Sequence, residues 1–389
     1  MSFLFIVLGM AALIYGYTGW RLIPPAQLPL PWNLAAWTGL VLVAALPLAS
    51  FTLRHHLHGV WANLFSWLTY LSMGFFVLLC SLLLLRDLVW LLWAGLERLL
   101  ALIQGRALAP ADPSRRNLML QAANLGTVAL AVGVAAFGFY HARRRPRVDR
   151  IEVPFPDLPP ELEGLRIAQF SDIHAGPTIK RPQGEAVVAA IEALGADLIV
   201  FTGDLVDGSV EELRPHVEPL ARLRAPLGCY FVTGNHEYYS GVKAWIAEAG
   251  RLGFTVLLNE HRLLCEGRLL LAGVTDYLGG DHEPGHNSDP QAALGAAPPP
   301  GALLLLLAHQ PLSVFAASEA GYHLQLSGHT HGGQFVPWKY FIPLQQPYIE
   351  GLHRHGQTWV YVNRGAGYWG PPIRVGAPSE IALLTLRRA

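Results

Sequence analysis

Apolar side chains fall along this chain in two rhythms. In residues 1–142 they come in long runs. Ser2–Trp20, Ala35–Leu53, Ala62–Leu85 and Leu118–Tyr140 contain no acid and no base. A helix needs about 20 such residues to cross hydrocarbon, where an open backbone finds no hydrogen-bond partner. These runs predict an all-α bundle of about four transmembrane helices. The first lacks a basic N-terminal region and three more follow it, so it reads as a retained helix, not a cleaved leader. Leu88–Ile103 is interrupted by Glu97 and Arg98 and reads as an interfacial amphipathic helix rather than a fifth span.

From residue 165 onward the apolar runs are short, and each ends in polar residues. Leu165–Phe170 runs into Ser-Asp-Ile-His, Leu198–Thr202 into Gly-Asp, and Tyr230–Thr233 into Gly-Asn-His-Glu. Leu303–Leu307 runs into Ala-His-Gln-Pro, and His323–Ser327 into Gly-His-Thr-His-Gly-Gly-Gln. Helical patterns near 183–194, 211–223, 241–252 and 312–320 separate several of them. Further strands are expected near 254–259, 262–265, 269–274, 358–363 and 381–386. Strand alternating with helix means an α/β domain, with ligands beyond the carboxyl ends of the strands.

Composition sharpens this division. The chain has 389 residues, 52% hydrophobic and only 14% charged, with 28 basic and 28 acidic side chains. Zero net charge offers no field to hold a polyanion, so no nucleic-acid partner is expected. In residues 1–142 the only charged side chains are Arg21, Arg54, Arg86, Asp87, Glu97, Arg98, Arg106, Asp112, Arg115 and Arg116. The low charge therefore belongs to the first part, where seven of the eleven tryptophans also lie, several near span ends. Residues 143–164 are rich in Arg and Pro and read as an extended linker. The expected organisation is a transmembrane helical domain at 1–142, that linker, and a catalytic domain at 165–389. Cys80, Cys229 and Cys265 are too scattered for a disulfide framework or a cysteine zinc site.

The sidedness signals oppose one another. Arg143, Arg144, Arg145, Arg147 and Arg150 after the last span favour a cytoplasmic C-terminal domain; Arg86, Arg98, Arg106, Arg115 and Arg116 before it favour the opposite. Ser114-Arg115-Arg116-Asn117-Leu118 is similar to a twin-arginine export signal and equally to an ordinary basic helix flank. The balance leans to the extracytoplasmic face of a bacterial plasma (inner) membrane.

The strand ends carry the chemistry. Asp172, His174, Asp204, Asn235, His236, His309, His329 and His331 form one set of carboxylates, an amide and imidazoles. Such donors suit divalent Mn, Fe, Zn, Co or Ni, and they suffice for two ions if one carboxylate bridges. Any one of these histidines alone reads as structural; five strand ends together read as a metal site. Asp207 and Glu237 read as supports for the ligands. His55-His56-Leu57-His58 has no carboxylate or cysteine nearby in sequence and reads as a polar turn. His282 and His286 read as a solvated loop.

In order, Ser171-Asp172-Ile173-His174, Gly203-Asp204, Gly234-Asn235-His236-Glu237, His309 and Gly328-His329-Thr330-His331 resemble the motifs of the calcineurin-like metallophosphoesterase superfamily. Gly332-Gly333-Gln334 and Asn363-Arg364-Gly365 narrow the resemblance to a bacterial branch of membrane-anchored and twin-arginine-exported phosphoesterases, close to transmembrane proteins with a metallophosphoesterase domain. The match covers roughly residues 160–389. It implies a four-layer α/β/β/α sandwich. It also implies one metal on Asp172, His174, Asp204 and His331, and a second on Asp204, Asn235, His309 and His329. Asp204 then bridges, metal-activated hydroxide attacks phosphorus, and His236 contacts the phosphate or protonates the leaving oxygen.

The substrate is less constrained. Phe335–Pro343 and Tyr368–Pro372 form aromatic, apolar stretches near the metal motifs, with Trp338 and Tyr340 as candidate substrate contacts. On a domain anchored to a bilayer they suit an amphiphilic phosphate, or else simply pack on the domain. Some relatives in this branch hydrolyse UDP-2,3-diacylglucosamine, a substrate that requires the cytoplasmic face. Arg364 suits either a phosphate clamp or a salt bridge. The leading expectation is a membrane-anchored di-metal phosphoesterase acting on a phosphate ester or pyrophosphate of a lipid-linked substrate. A soluble-substrate phosphodiesterase with the helices only as anchor is the alternative within the same chemistry. A non-enzymatic receptor or transporter component is the alternative outside it. The intact ligand set and the spans' lack of internal charge stand against that last reading.

Overall fold

The computed structural model describes residues 2–53, 59–107, 112–295 and 298–389. The His55–His58 cluster lies outside the described residues. The chain divides into two compact units, Met1–Phe139 and Tyr140–Ala389.

The helical region consists of α1 (Ser2–Leu22), α2 (Leu30–Leu53), α3 (Gly59–Ile103) and α4 (Pro113–Arg143). Among the described residues, α2, α3 and α4 are long and apolar enough to span a membrane. One expectation fails here. The segment Leu88–Ile103 is not a separate interfacial helix but the second half of the 45-residue α3. Arg86 and Asp87 are compatible with helix and no proline interrupts the run, so the hydrogen-bond ladder continues. At 1.5 Å per residue α3 is about 67 Å long, more than twice the hydrocarbon thickness of about 30 Å.

The charges that end the predicted spans meet one another in this unit. Asp87 pairs with Arg21 at 2.6 Å and with Arg86 at 2.8 Å, and accepts from the Tyr17 hydroxyl at 2.5 Å. Asn124 of α4 accepts from Arg86 and donates to the Arg21 carbonyl at 2.9 Å. Trp20 and Trp90 place their rings against Arg21 and Arg86. An ionised group in hydrocarbon is costly unless paired, and this network joins α1, α3 and α4 without leaving a lone charge.

Among the described residues the second unit has twelve strands: β1 (Arg147–Phe155), β2 (Arg166–Phe170), β3 (Leu198–Phe201), β4 (Cys229–Phe231), β5 (Thr255–Val256), β6 (Glu260–Leu264), β7 (Leu269–Gly273), β8 (Leu303–Leu307), β9 (Leu324–Ser327), β10 (Gly351–His355), β11 (Thr358–Val362) and β12 (Glu380–Arg388). They form two six-stranded mixed sheets, in the orders β1-β12-β2-β3-β4-β5 and β10-β11-β9-β8-β7-β6. Six helices follow the membrane helices in sequence: α5 (Arg181–Glu192), α6 (Val210–Val217), α7 (Asn235–Tyr239), α8 (Val242–Arg251), α9 (Pro290–Leu294) and α10 (Val314–Glu319).

Alternation within the apolar strands builds four layers. Leu198 and Val200 of β3 face Leu303, Leu305 and Leu307 of β8 in a core between the sheets. Ile199 and Phe201 point the other way, onto Val188 and Ile191 of α5 and Trp245 of α8. Leu304 and Leu306 cover α9 and α10 through Ala293 and Ala317. A strand buried on both faces reads as a continuous apolar run, as β8 does. The architecture is the expected α/β/β/α sandwich.

The Arg- and Pro-rich stretch is not an extended tether. Arg147–Phe155 is strand β1, paired in parallel with β12 from Arg147↔Glu380 to Phe155↔Arg388. It lies at a sheet edge, where charged side chains and Pro154 are tolerated. Arg143 also donates to the Thr178 carbonyl at 2.8 Å.

Leu305 is fully buried between the sheets. Leu305→Ala is expected to cost about 2–5 kcal/mol. Thermal or denaturant unfolding of the detergent-solubilised chain measures it, and an unchanged midpoint contradicts this placement of the core.

Candidate metal centre

The parallel strands of both sheets end on one rim. Asp172 and His174 follow β2, Asp204 follows β3, and Asn235 and His236 open α7 after β4. From the other sheet, His309 follows β8, and His329 and His331 follow β9. The backbone bends sharply to bring them in. Asp172, His174, Asp204, His329 and His331 all have φ between 51° and 72°, in the left-handed region that non-glycine residues rarely adopt. Gly203 (φ 86°) shows how tight the turns are, since a Cβ there would lie 2.6 Å from the Gly234 nitrogen.

Two triads result. In the first, His174 Nε2 lies 3.1 Å from His331 Nε2, and Asp172 Oδ1 lies 3.4 Å from His331 Nε2. In the second, His309 Nε2 lies 3.1 Å from Asp204 Oδ2 and 3.2 Å from His329 Nδ1. Asp204 Oδ2 is also 3.7 Å from His174 Nε2, so this carboxylate stands between the triads. Each triad could hold a cation. Six of the seven proposed ligands are thus brought together, and Asn235 stands next to His236, whose backbone nitrogen donates to Asp204 at 2.9 Å.

The surroundings orient the donors. His309 Nδ1 donates to the Thr202 carbonyl at 2.7 Å, and His174 Nδ1 faces Asp207 Oδ1 at 3.3 Å. Such bonds turn the other ring nitrogen inward as a lone pair, the arrangement that metal-ligating histidines use. Asp207 Oδ1 also lies 2.5 Å from His236 Nδ1. The Glu237 carboxylate accepts from the backbone nitrogens of Gly234 (2.7 Å), Leu205 (2.8 Å) and Asp204 (3.0 Å). It ties the turn after β3 to the turn after β4.

The residues fit divalent cations. The Asn235 Oδ1 atom is buried without a hydrogen-bond partner in the protein. Imidazole nitrogens meet at 3.1 and 3.2 Å, where facing lone pairs repel unless a proton or a cation lies between them. Carboxylate oxygens and imidazoles together match Mn, Fe, Zn, Co or Ni.

Charge is unevenly distributed over these groups. Burial opposes the charge on Asp204, but His309, His236 and His174 outweigh it and hold the pKa well below the ordinary carboxylate range. Burial pushes Asp172 up. Burial also opposes the charge on His309 and His236, yet both are raised by Asp204, and His236 reaches about 9 with Asp207 assisting. His329 falls to about 3 and His331 falls well below its ordinary value, through burial and neighbouring positive groups.

Residues 165–333 match the model of the calcineurin-like phosphoesterase family. A bovine relative, "Transmembrane protein with metallophosphoesterase domain", is 38% identical over 84% of this chain and 74% of its own. The chain belongs to the calcineurin-like phosphoesterase family. A relative in Helicobacter pylori, "Uncharacterized metallophosphoesterase", is 34% identical over 70% of this chain and 73% of its own. A zebrafish (Danio rerio) protein with the bovine name is 38% identical, with 66% of this chain covering 61% of that one. Membership makes this chain a phosphoester hydrolase of a metal-dependent family, and its apolar helices and relatives make it membrane-associated.

Arg364 departs from the phosphate-clamp expectation. Its guanidinium is engaged by Asp149, by Glu380 at 2.6 Å and by Glu350 at 3.6 Å. Three carboxylates occupy it, so the salt-bridge alternative holds. Trp338 and Tyr340 lie in a short 3-10 turn, exposed, with the Trp338 ring near Phe341.

Sequence reasoning missed Arg374. It is buried and donates to the carbonyls of Gly367 (2.8 Å), Arg364 (2.8 Å) and Ala377 (2.9 Å), and lies 3.2 Å from His331 Nδ1. Burial lowers its pKa to about 10. No side-chain motif announces it, because it holds main-chain carbonyls of its own loop and a histidine 43 residues away.

The His236–Asp207 pair has a pH signature. The folded-state pKa of His236, about 9, lies above the ordinary value of 6.5. The stabilisation from this shift is therefore complete below about pH 6.5 and is lost as pH rises through about 9. In chelator-treated protein the thermal midpoint is expected to fall across that window, and Asp207→Asn is expected to flatten the fall. A wild-type midpoint that is flat across the window refutes the pairing.

Proposed function

We propose that this chain holds two divalent cations at the Asp204-centred site and hydrolyses the phosphate ester or pyrophosphate of an amphiphilic, lipid-linked substrate. The observation that carries the two-cation reading is the position of Asp204, within 3.7 Å of a ligand nitrogen in each triad. Asp172, His174 and His331 complete one set; Asn235, His309 and His329 complete the other. When bound, such cations polarise the phosphoryl group and bring the pKa of water towards neutrality.

The chain's own residues supply orientation and the proton. Asp207 engages Nδ1 of His236, which leaves Nε2 to face the leaving oxygen as the proton donor. The amphiphilic substrate class is supported by exposed Val336, Trp338, Tyr340, Phe341 and Leu344 on a chain with membrane-spanning helices. The location proposed with it is the plasma membrane of a bacterium, with the catalytic unit on the outer face. UDP-2,3-diacylglucosamine is one member of the substrate class to be tried, and it alone needs the inner face.

The test is metal analysis and hydrolysis of lipid pyrophosphates, UDP-2,3-diacylglucosamine and p-nitrophenyl esters by the detergent-solubilised chain. Asp204→Asn is expected to lose bound metal and activity together. His236→Ala is expected to keep its metal while kcat falls by about 10²–10⁴. Full activity in both variants overturns the site assignment. Equal preference for soluble esters, unaffected by Trp338→Ala, overturns the lipid reading and leaves an anchored enzyme for soluble substrates.

A further inference from the structure

One side chain connects the last ligand segment to the loop around Trp369. Gln334 lies three residues after His331, with its backbone in the left-handed region (φ 51°). Its Nε2 donates to the carbonyls of Trp369 at 3.0 Å and Pro371 at 2.9 Å. Its Oε1 accepts from the Trp369 nitrogen at 2.9 Å. The Trp369 main chain is therefore held from both its N–H and its C=O by a carboxamide that is itself buried. This bidentate grip fixes where the indole starts.

The indole reaches His236. The two ring centroids are 5.8 Å apart at 72°, and Trp369 remains 56% exposed. A second aromatic ring, Tyr239, meets His236 at 5.3 Å and 66° and is 59% exposed. Its hydroxyl lies beside the Asn235 amide, and its ring continues to His282 at 5.3 Å. Large rings normally bury most of their area against apolar neighbours. Here two of them stand half in water, each in edge contact with the histidine proposed to face the leaving oxygen.

We propose that Trp369 and Tyr239 form a subsite for an apolar leaving group, and that Gln334 is the positioning residue that sets Trp369 in it. The proposal rests on His236 facing the leaving oxygen, as proposed above, and adds what the departing group touches. An apolar group of ring size or larger covers the exposed indole and phenol when it binds; a small polar alcohol leaves them wet. Selectivity for the leaving group is therefore carried by Trp369, whose ring meets His236.

Phosphonates test this without turnover. Binding of phenyl-, butyl- and methylphosphonate to the full chain in detergent with Mn²⁺ is measured by calorimetry, and the ratios to methylphosphonate are compared. Wild type is expected to prefer the phenyl and butyl compounds about tenfold or more. Trp369→Ala and Gln334→Ala are expected to lose that preference, and Trp369→Phe to keep most of it. Loss for phenyl alone assigns a planar leaving group, and loss for both assigns an alkyl or lipid group as well. Unchanged ratios in Trp369→Ala and Tyr239→Ala overturn the subsite. If wild type shows the preference yet hydrolyses no ester, the hydrolase reading falls and the apolar subsite stands.

Discussion

Two buried carboxylates set the terms for the catalytic unit. Asp172 and Asp204 stand at the ends of neighbouring strands β2 and β3, almost wholly out of water. An ionised carboxylate in such a place costs many kcal/mol unless opposite charge and hydrogen bonds surround it. The surrounding loops meet this demand. Asp172 accepts from the His329 nitrogen at 3.1 Å, and Asp204 accepts from the His236 nitrogen at 2.9 Å. Imidazoles from both sheets close in around them. The left-handed backbone at five of the proposed ligands follows from the same demand. Residues held there cost of order 1–3 kcal/mol each and persist only where the surroundings over-determine them.

The sandwich makes this convergence possible. β2, β3 and β4 run parallel in one sheet, and β7, β8 and β9 run parallel in the other. Their carboxyl ends carry the ligands, and the leucine-rich interior fixes the two sheets against each other. Glu237 then joins adjacent turns through three backbone amides, and Arg374 ties the 364–377 stretch together through its carbonyls and reaches back to the His331 carbonyl at 3.3 Å. Ligand geometry is thus supported by a rigid frame and by two buried ionisable groups bonded to the main chain.

The ligands were legible in the sequence because each polar cluster interrupts an apolar run at a strand end. The four layers were legible because β3, β7 and β8 are apolar at every position, which only burial on both faces explains. β1 was not, since Arg and Pro mask its Val148, Ile151, Val153 and Phe155, and an edge strand needs less apolar surface. The length of α3 was hidden by Glu97 and Arg98, whose charges suggest an interface but do not break a helix. Arg364, Arg374 and Gln334 were illegible for another reason. Gln334 and Arg364 meet partners far along the chain, Arg374 holds main-chain carbonyls near it in sequence, and no spacing rule encodes either kind of contact. The aromatic stretches were visible as a pair, but only the fold separates Trp369, against His236, from Trp338, against Phe341.

The same residue type takes opposite protonation states within this one site. His236 stands beside Asp204 and Asp207, and both favour its charged form. Burial, with Arg374 and His174 beside His331 and with His309 beside His329, lowers both and favours their neutral forms. Neutral imidazoles are what a divalent cation binds, and a charged one is what a leaving oxygen needs. His309, raised by Asp204 as His236 is, would have to give up its proton before it could bind a cation. Positive charge added beside Asp204 offsets the very carboxylate that raises His236. A cation held there would lower the pKa of His236, the direction that eases proton transfer to a leaving group.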